Sequence, residues 1–214
     1  MAKVPAINWT EGLVIKTFGI SRIYDGFPLL DSWMTVENNL TETDMTMLEY
    51  RRRQLERNVN GWNEETLKMK FIAFIIDMAQ YDTDEFQGFF EAEMAGTLKG
   101  QPLKVITDFM VALYIADLIE RPFFYFHEYK PKKKSKDPIA QVLLAMLLAQ
   151  DKNQDDKPIY GCVVIGELWH FIVLEGTKFA MDKGLTATDS QDLQRILLIL
   201  RKFKHILFTE LVTR

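Results

Sequence analysis

The sequence predicts an α/β fold, a central mixed β-sheet flanked by helices, and three observations carry that reading. Between residues 86 and 130, three strand-like runs are divided by a turn near Gly100 and by Pro122. Before residue 80 and after residue 190, apolar residues recur with the period of helices. An apolar helix opened by Asp137-Pro138 separates the first group of strands from a second group. The resulting order is helix, three strands, helix, two or so strands, helix.

Each element has its own signal. Residues 1 to about 40 mix short apolar pieces with Gly and Pro, the pattern of irregular or short-strand structure. In "NLTETDMTMLEYRRRQLERNVN" a helix begins, capped by Thr41 or Thr43, with acids in its first turn and arginines at its far end. Asn60-Gly61 stops it. In "WNEETLKMKFIAFIIDMAQ", Asn63 caps a second helix whose Leu67, Phe71, Phe74, Ile75 and Met78 recur at helical spacing. "FQGFFEAEMAGTLKG" and "QPLKVITDFMVALY" read as strands joined by a turn near Gly100, and "RPFFYFHEYK" as a third strand opened by Pro122. "IAQVLLAMLLAQ" is apolar on nearly every face and calls for a buried helix. "PIYGCVVIGELWHFIVLEG" reads as two strands bent near Gly166, and "TKFAMDKGLTATD" as a short edge strand. From Ser190 a long helix carries the stripe Leu193, Ile196, Leu197, Leu200, Phe203 and Leu207. Residues 1–61 read as an N-terminal extension with a helix, and 62–214 as the α/β core with its C-terminal helix, packed as one domain.

Composition narrows the class. A chain of 214 residues that is 48% hydrophobic and 26% charged is globular and long enough to bury a core without staples. Its single cysteine, Cys162, excludes an internal disulfide. With no apolar stretch of signal-peptide or membrane-spanning length, the chain reads as soluble and cytoplasmic, with no membrane partner. A net charge of −4 argues against binding nucleic acid over the whole surface. One local basic patch remains, because five of the seven residues from Lys130 to Lys136 are lysine.

That patch follows two residues with chemical potential. Side chains alternate along a strand, so Phe126, Glu128 and Lys130 share one face while Tyr125, His127 and Tyr129 share the other. Asp108 stands on the preceding strand in an apolar context, "VITDFMVAL", where an unpaired charge is expensive. If the two strands pair, Asp108 and Glu128 can hold one hard cation between them; Mg2+ suits, since it takes one or two carboxylates and keeps waters. Lys130 beside it can orient water or offset charge on a phosphate. Taken singly, each acid also reads as an ordinary strand-end residue paired to a surface lysine. Glu91 and Glu93 share a strand face and could line the same cleft, although solvent exposure is the stronger reading. His127, His170 and His205 have no metal-ligand spacing, and Cys162 reads as a small buried hydrophobe.

Asp108 followed by Glu128-Tyr129-Lys130 resembles the split signature of the PD-(D/E)XK nuclease superfamily, whose members share a restriction-endonuclease-like core in the order α-β-β-β-α-β. The resemblance spans roughly residues 62–175 and extends to a Bacteroidetes-type group in which the blocks WNEE…KMKFI, HEYK, DP.AQ and IYGCVVIG recur; here they read "WNEETLKMKFI", "HEYK", "DPIAQ" and "IYGCVVIG". It implies metal ligation, by Mg2+ or Mn2+, through Asp108, Glu128 and the Tyr129 carbonyl. Glu64 joins them as the acid of the first core helix, preferred over Glu65 because it lies in line with Leu67, Phe71 and Ile75. Lys130 and Gln141 complete the catalytic set with Asp108 and Glu128, and Lys132, Lys133, Lys134 and Lys136 would contact a nucleic-acid backbone. Thr107 departs from the proline expected before the aspartate.

Two classes of function follow: a metal-dependent nuclease acting on nucleic acid, above all DNA, or a nuclease-fold module without catalysis that binds nucleic acid or a protein partner. A homodimer is the ordinary assembly for such folds. Geometry separates the classes. Convergence of Asp108, Glu128 and Lys130 in an open cleft favours the enzyme; if they point apart, or if Lys130 is neutralised in a closed ion-pair cluster, that reading fails.

Overall fold

A computed structural model describes residues 7–115, 118–130 and 137–211. Within them the chain forms an eight-stranded mixed sheet in the order β1-β7-β6-β5-β4-β3-β2, with β8 added on β6. The strands β2 (Phe86–Leu98), β3 (Gln101–Ile115) and β4 (Leu118–Lys130) form an antiparallel meander. Helix α6 (Pro138–Asn153) then crosses over so that β5 (Ile159–Ile165) lies parallel to β4. From there β6 (Leu168–Glu175) and β7 (Lys178–Met181) continue antiparallel, and β8 (Leu185–Thr186) pairs with β6.

Helices cover both faces. On one lie α2 (Pro28–Met34), α3 (Glu42–Asn58), the segment α4–α5 (Glu64–Leu67 and Ala73–Ala79) and α7 (Ser190–Ile206), burying Leu67, Phe71, Leu197 and Phe203 against Phe109, Tyr125, Tyr129 and Trp169. On the other, α1 (Glu11–Phe18) and α6 bury Val14, Val142 and Met146 against Met94, Met110, Phe126 and Val163. Helix α6, apolar around its girth, packs close on β5: a Cβ at Gly161 would stand 3.0 Å from Met146 Sδ. Any larger residue there would push helix and sheet apart.

Capping explains the helix starts. Thr41 forms a capping box with Asp44, Asn63 accepts the Thr66 N–H, and Asp137 accepts those of Ile139 and Ala140. The helix that Asn63 opens is not uniform: a π-helical turn at Lys68–Ile72 inserts between α4 and α5.

Three details depart from the sequence reading. Residues 11–34 hold the short strand β1 (Ser21–Ile23), as the pattern allows, but also two short helices that it does not announce. Eight and seven residues are too few for periodicity to declare a helix. The excursion at 178–181 is not an edge, because β1 pairs parallel to it. The third strand begins at Leu118, four residues before Pro122; a bulge opposite Ala112 and Leu113 takes up Arg121 and Pro122, where a missing N–H costs no ladder bond. Among the described residues no helix is long and apolar enough to cross a membrane.

Candidate active site

The β3–β4 register brings the two acids together. Phe109 pairs with His127, which sets Asp108 across from Glu128. Glu128 lines a cavity against α6, while Asp108 meets Lys68 of the helical segment on the opposite face. Asp108 Oδ2 accepts the Tyr129 N–H at 2.6 Å, which fixes that carboxylate. Lys130 Nζ donates to the Tyr129 carbonyl at 2.8 Å and to Glu64 Oε1 at 3.3 Å. It also lies 3.8 Å from both Asp108 Oδ2 and Glu128 Oε2. Asp108, Glu128 and Lys130 therefore converge, and each is at most 7% exposed. Solvent reaches the group through a rim of acids, since Glu64, Glu65 and Glu91 are 39%, 71% and 60% exposed.

A second lysine completes the cluster, one that the sequence reading passed over. Lys68, buried on the π-helical turn, places Nζ 3.4 Å from Asp108 Oδ1 and 3.8 Å from Glu65 Oε2, and hydrogen-bonds Glu91. It stands one turn after Glu64, between the buried Leu67 and Phe71, on a π-turn that nothing in the sequence marks. Glu91 and Glu93, expected to share one solvent-facing strand surface, part company. Glu93 pairs with the exposed Lys104. Glu91 stands across the ladder from Asp108 with φ of 54°, a left-handed conformation uncommon for a residue with a Cβ.

The electrostatics are asymmetric. Burial, followed by the charge of Asp108, raises the Glu128 carboxyl well above the usual carboxylate range, and Lys130 only partly opposes this. For Lys68, burial works against the charge, but Glu91, Asp108 and Glu65 outweigh it and raise its pKa. Five acids thus surround two lysines, and the deepest acid favours its protonated form. Those are the conditions a divalent cation would relieve, and the donors on offer (two carboxylates and the Tyr129 carbonyl) are hard oxygens that suit Mg2+ or Mn2+. Among the described residues no group of three or more His, Cys, Asp or Glu side chains is arranged to hold a metal.

Gln141 lies on α6 one turn past the Asp137 cap. It lines a cavity of about 410 Å³ together with Glu128, Asp137, Leu144, Ile106 and Trp9. Its Oε1 is buried and accepts no hydrogen bond among the described residues. The cavity gives Glu128 a second approach, from the α6 side. Lys132, Lys133, Lys134 and Lys136, expected to meet a nucleic-acid backbone, lie outside the described residues.

The opposite face of β4 is aromatic. His127 is enclosed by the rings of Phe109, Tyr125, Tyr129 and Trp169, and neither ring nitrogen has a hydrogen-bond partner among the described residues. Burial lowers its pKa to about 3, so the imidazole is neutral. Cys162, its register partner on β5, is a buried free thiol. His170 Nδ1 stands 3.7 Å from Asp182 on the far side of the sheet order, away from the acid pair. In comparisons with known proteins, no family model matches the chain and no curated protein matches it.

Proposed function

We propose that this chain is a divalent-metal-dependent phosphodiesterase that cuts nucleic acid, with DNA as its substrate. The observation that carries the reading is the buried pair Asp108 and Glu128, facing each other across one antiparallel ladder with Lys130 beside them. The topology supports it too: an antiparallel meander, a helical crossover and a parallel fourth strand follow the core order that the PD-(D/E)XK resemblance implies.

Asp108, Glu128 and the Tyr129 carbonyl would hold the Mg2+ or Mn2+, with Glu64 at its rim. The bound cation would supply Lewis acidity toward a phosphodiester oxygen and lower the pKa of a coordinated water. The chain's own groups do the rest. The Tyr129 N–H keeps Asp108 oriented. Burial and the charge of Asp108 hold the Glu128 carboxyl above the usual carboxylate range, and a cation compensating its charge would favour its ionised form. Lys130, anchored at the Tyr129 carbonyl, presents its ammonium where negative charge grows on a phosphate. Gln141, with its buried amide oxygen unpaired, accepts a hydrogen bond from a water in the cavity beside Glu128.

Plasmid and oligonucleotide cleavage with Mg2+ and Mn2+, against EDTA and Lys130→Ala, tests the proposal. Metal-dependent cleavage lost in the variant supports it; no cleavage of any substrate with either metal at high protein overturns it. One observation favours a second reading: Lys130 is already engaged by Glu64 and the Tyr129 carbonyl within a largely buried cluster. Under that reading the chain binds nucleic acid or a protein partner without cleaving. Salt-sensitive DNA binding without metal-dependent cleavage would establish the nucleic-acid form.

A further inference from the structure

Lys68 has no place in the metal and catalytic set just described, yet it is built into the cluster with care. It is 5% exposed, it sits on the π-helical turn that interrupts an otherwise α-helical segment, and its ammonium reaches Asp108 Oδ1 while Lys130 approaches Oδ2. π-Turns add a residue to a helical turn and often mark functional sites, because they rotate a side chain that regular winding would point elsewhere. The partner across the sheet is also unusual. Glu91 interrupts the β2–β3 ladder between the Phe90–Phe109 and Ala92–Thr107 pairs, in a left-handed conformation, and hydrogen-bonds Lys68. Non-glycine residues hold such conformations at a cost, and they gather at sites whose surroundings enforce them. A helix irregularity on one element and a strand irregularity on another therefore meet at one ion pair, directly over Asp108.

We infer that Lys68 is a resident counter-cation for Asp108, and that Glu91 is the berth to which it withdraws when a divalent cation takes that carboxylate. Lys68 is a positioning residue that acts through Asp108. With no divalent cation bound, its ammonium offsets the charge of Asp108, which otherwise faces Glu128. Cation binding breaks the Lys68–Asp108 contact and leaves Lys68 hydrogen-bonded to Glu91. Glu91 stays at the open rim, so Lys68 can withdraw without crossing the apolar layer. This role rests on the proposed metal site, and it makes a claim that the site alone does not: Lys68 and Glu91 affect the cation as one unit.

Mn2+ binding, followed at pH 7.5 by electron paramagnetic resonance of the free ion and by calorimetry, tests it without reference to cleavage. Lys68→Met, which removes the competing charge, should bind Mn2+ about tenfold more tightly. Glu91→Gln, which removes the berth, should bind about threefold more weakly. In the Lys68→Met background, Glu91→Gln should have no further effect, because the berth has nothing left to hold. Plain field effects of two charges would instead add, and Glu93→Gln, the same change two residues along β2, gauges that background. If Lys68→Met does not fold, Glu91→Gln set against Glu93→Gln decides the matter, and equal effects overturn the inference. Mn2+ binding that Lys68→Met leaves unchanged, or effects that add, overturn this role and leave the phosphodiesterase proposal standing. No Mn2+ binding in any of the proteins overturns both.

Discussion

Strand β4 sets two interiors back to back. In one, Glu128 and Lys130 are buried with Asp108, and Lys130 and Lys68 each have an acid within 3.8 Å. On the α7 side, His127 is buried just as deeply, among four aromatic rings and with no hydrogen-bond partner among the described residues. The two sides differ in how burial is tolerated. His127 avoids its cost by remaining neutral. The acid cluster retains charge by crowding opposite signs together, and its acids outnumber its lysines. A core residue that discards its charge contributes packing. A cluster that keeps an imbalance in a buried place remains available to a ligand of the missing sign.

The largest effect expected from breaking this contrast is on activity. Under the proposed function, Asp108→Asn and Lys130→Ala should each lower cleavage about 10³-fold. His127→Phe, on the aromatic side, should leave cleavage within about threefold of wild type. Parallel cleavage assays on the three variants decide whether the two sides differ in function as they do in charge.

The next effect lies in the pH dependence of stability, where the two sides carry opposite signs. His127 has its pKa lowered from 6.5 to about 3, so the unfolded chain binds a proton that the folded one refuses. Its contribution is present above about pH 6.5 and lost as the pH falls toward 3, an amount on the order of 4 kcal/mol. Urea unfolding from pH 7 to 4 should show this loss in wild type and much less of it in His127→Phe.

Glu128 runs the other way. Its folded pKa lies above the ordinary 4.5, so its contribution is present below that value and lost as the pH rises through the folded one. Glu128→Gln keeps the shape and removes the titration. Near pH 8 it should be more stable than wild type by on the order of 1–2 kcal/mol, read by the same urea titration carried upward in pH. Mg2+ should abolish that difference by compensating the carboxylate of the wild type alone. The smallest effect is at Gln141, where Gln141→Ala should lower cleavage about tenfold without moving the unfolding midpoint, as suits a group that orients rather than reacts.

The sequence made the α7 side easier to read than the acid cluster. Tyr125, His127 and Tyr129 alternate with Phe126 and Glu128, and a two-residue period assigns faces without any three-dimensional knowledge. The caps at Thr41, Asn63 and Asp137 were equally legible, because a cap is a local interaction between residues two or three apart. Asp108 could be singled out because an acid in an apolar strand needs a partner. Lys68 could not, since its burial depends on a π-turn, and nothing in "LKMKFI" distinguishes a turn of five residues from one of four. Glu91 was hidden for a related reason: alternation predicts that it points the same way as Glu93, and only a local left-handed residue breaks the rule. Helices α1 and α2 escaped because they are short and held by tertiary contacts, such as the Trp33 indole N–H donating to the Ile199 carbonyl.

Asp137 has a further consequence, for the order in which the chain becomes structured. One of its carboxylate oxygens caps α6, beside the candidate site, and the other accepts the Glu11 N–H at the first turn of α1. A growing chain must add 126 residues after Glu11 before that anchor exists, and the contact from Trp33 to Ile199 waits for 166. Segments made first are thus fastened last. Until then Val14, Phe18 and Trp33 remain apolar surface on a nascent chain, an interval in which a chaperone or a pause in translation has something to act on.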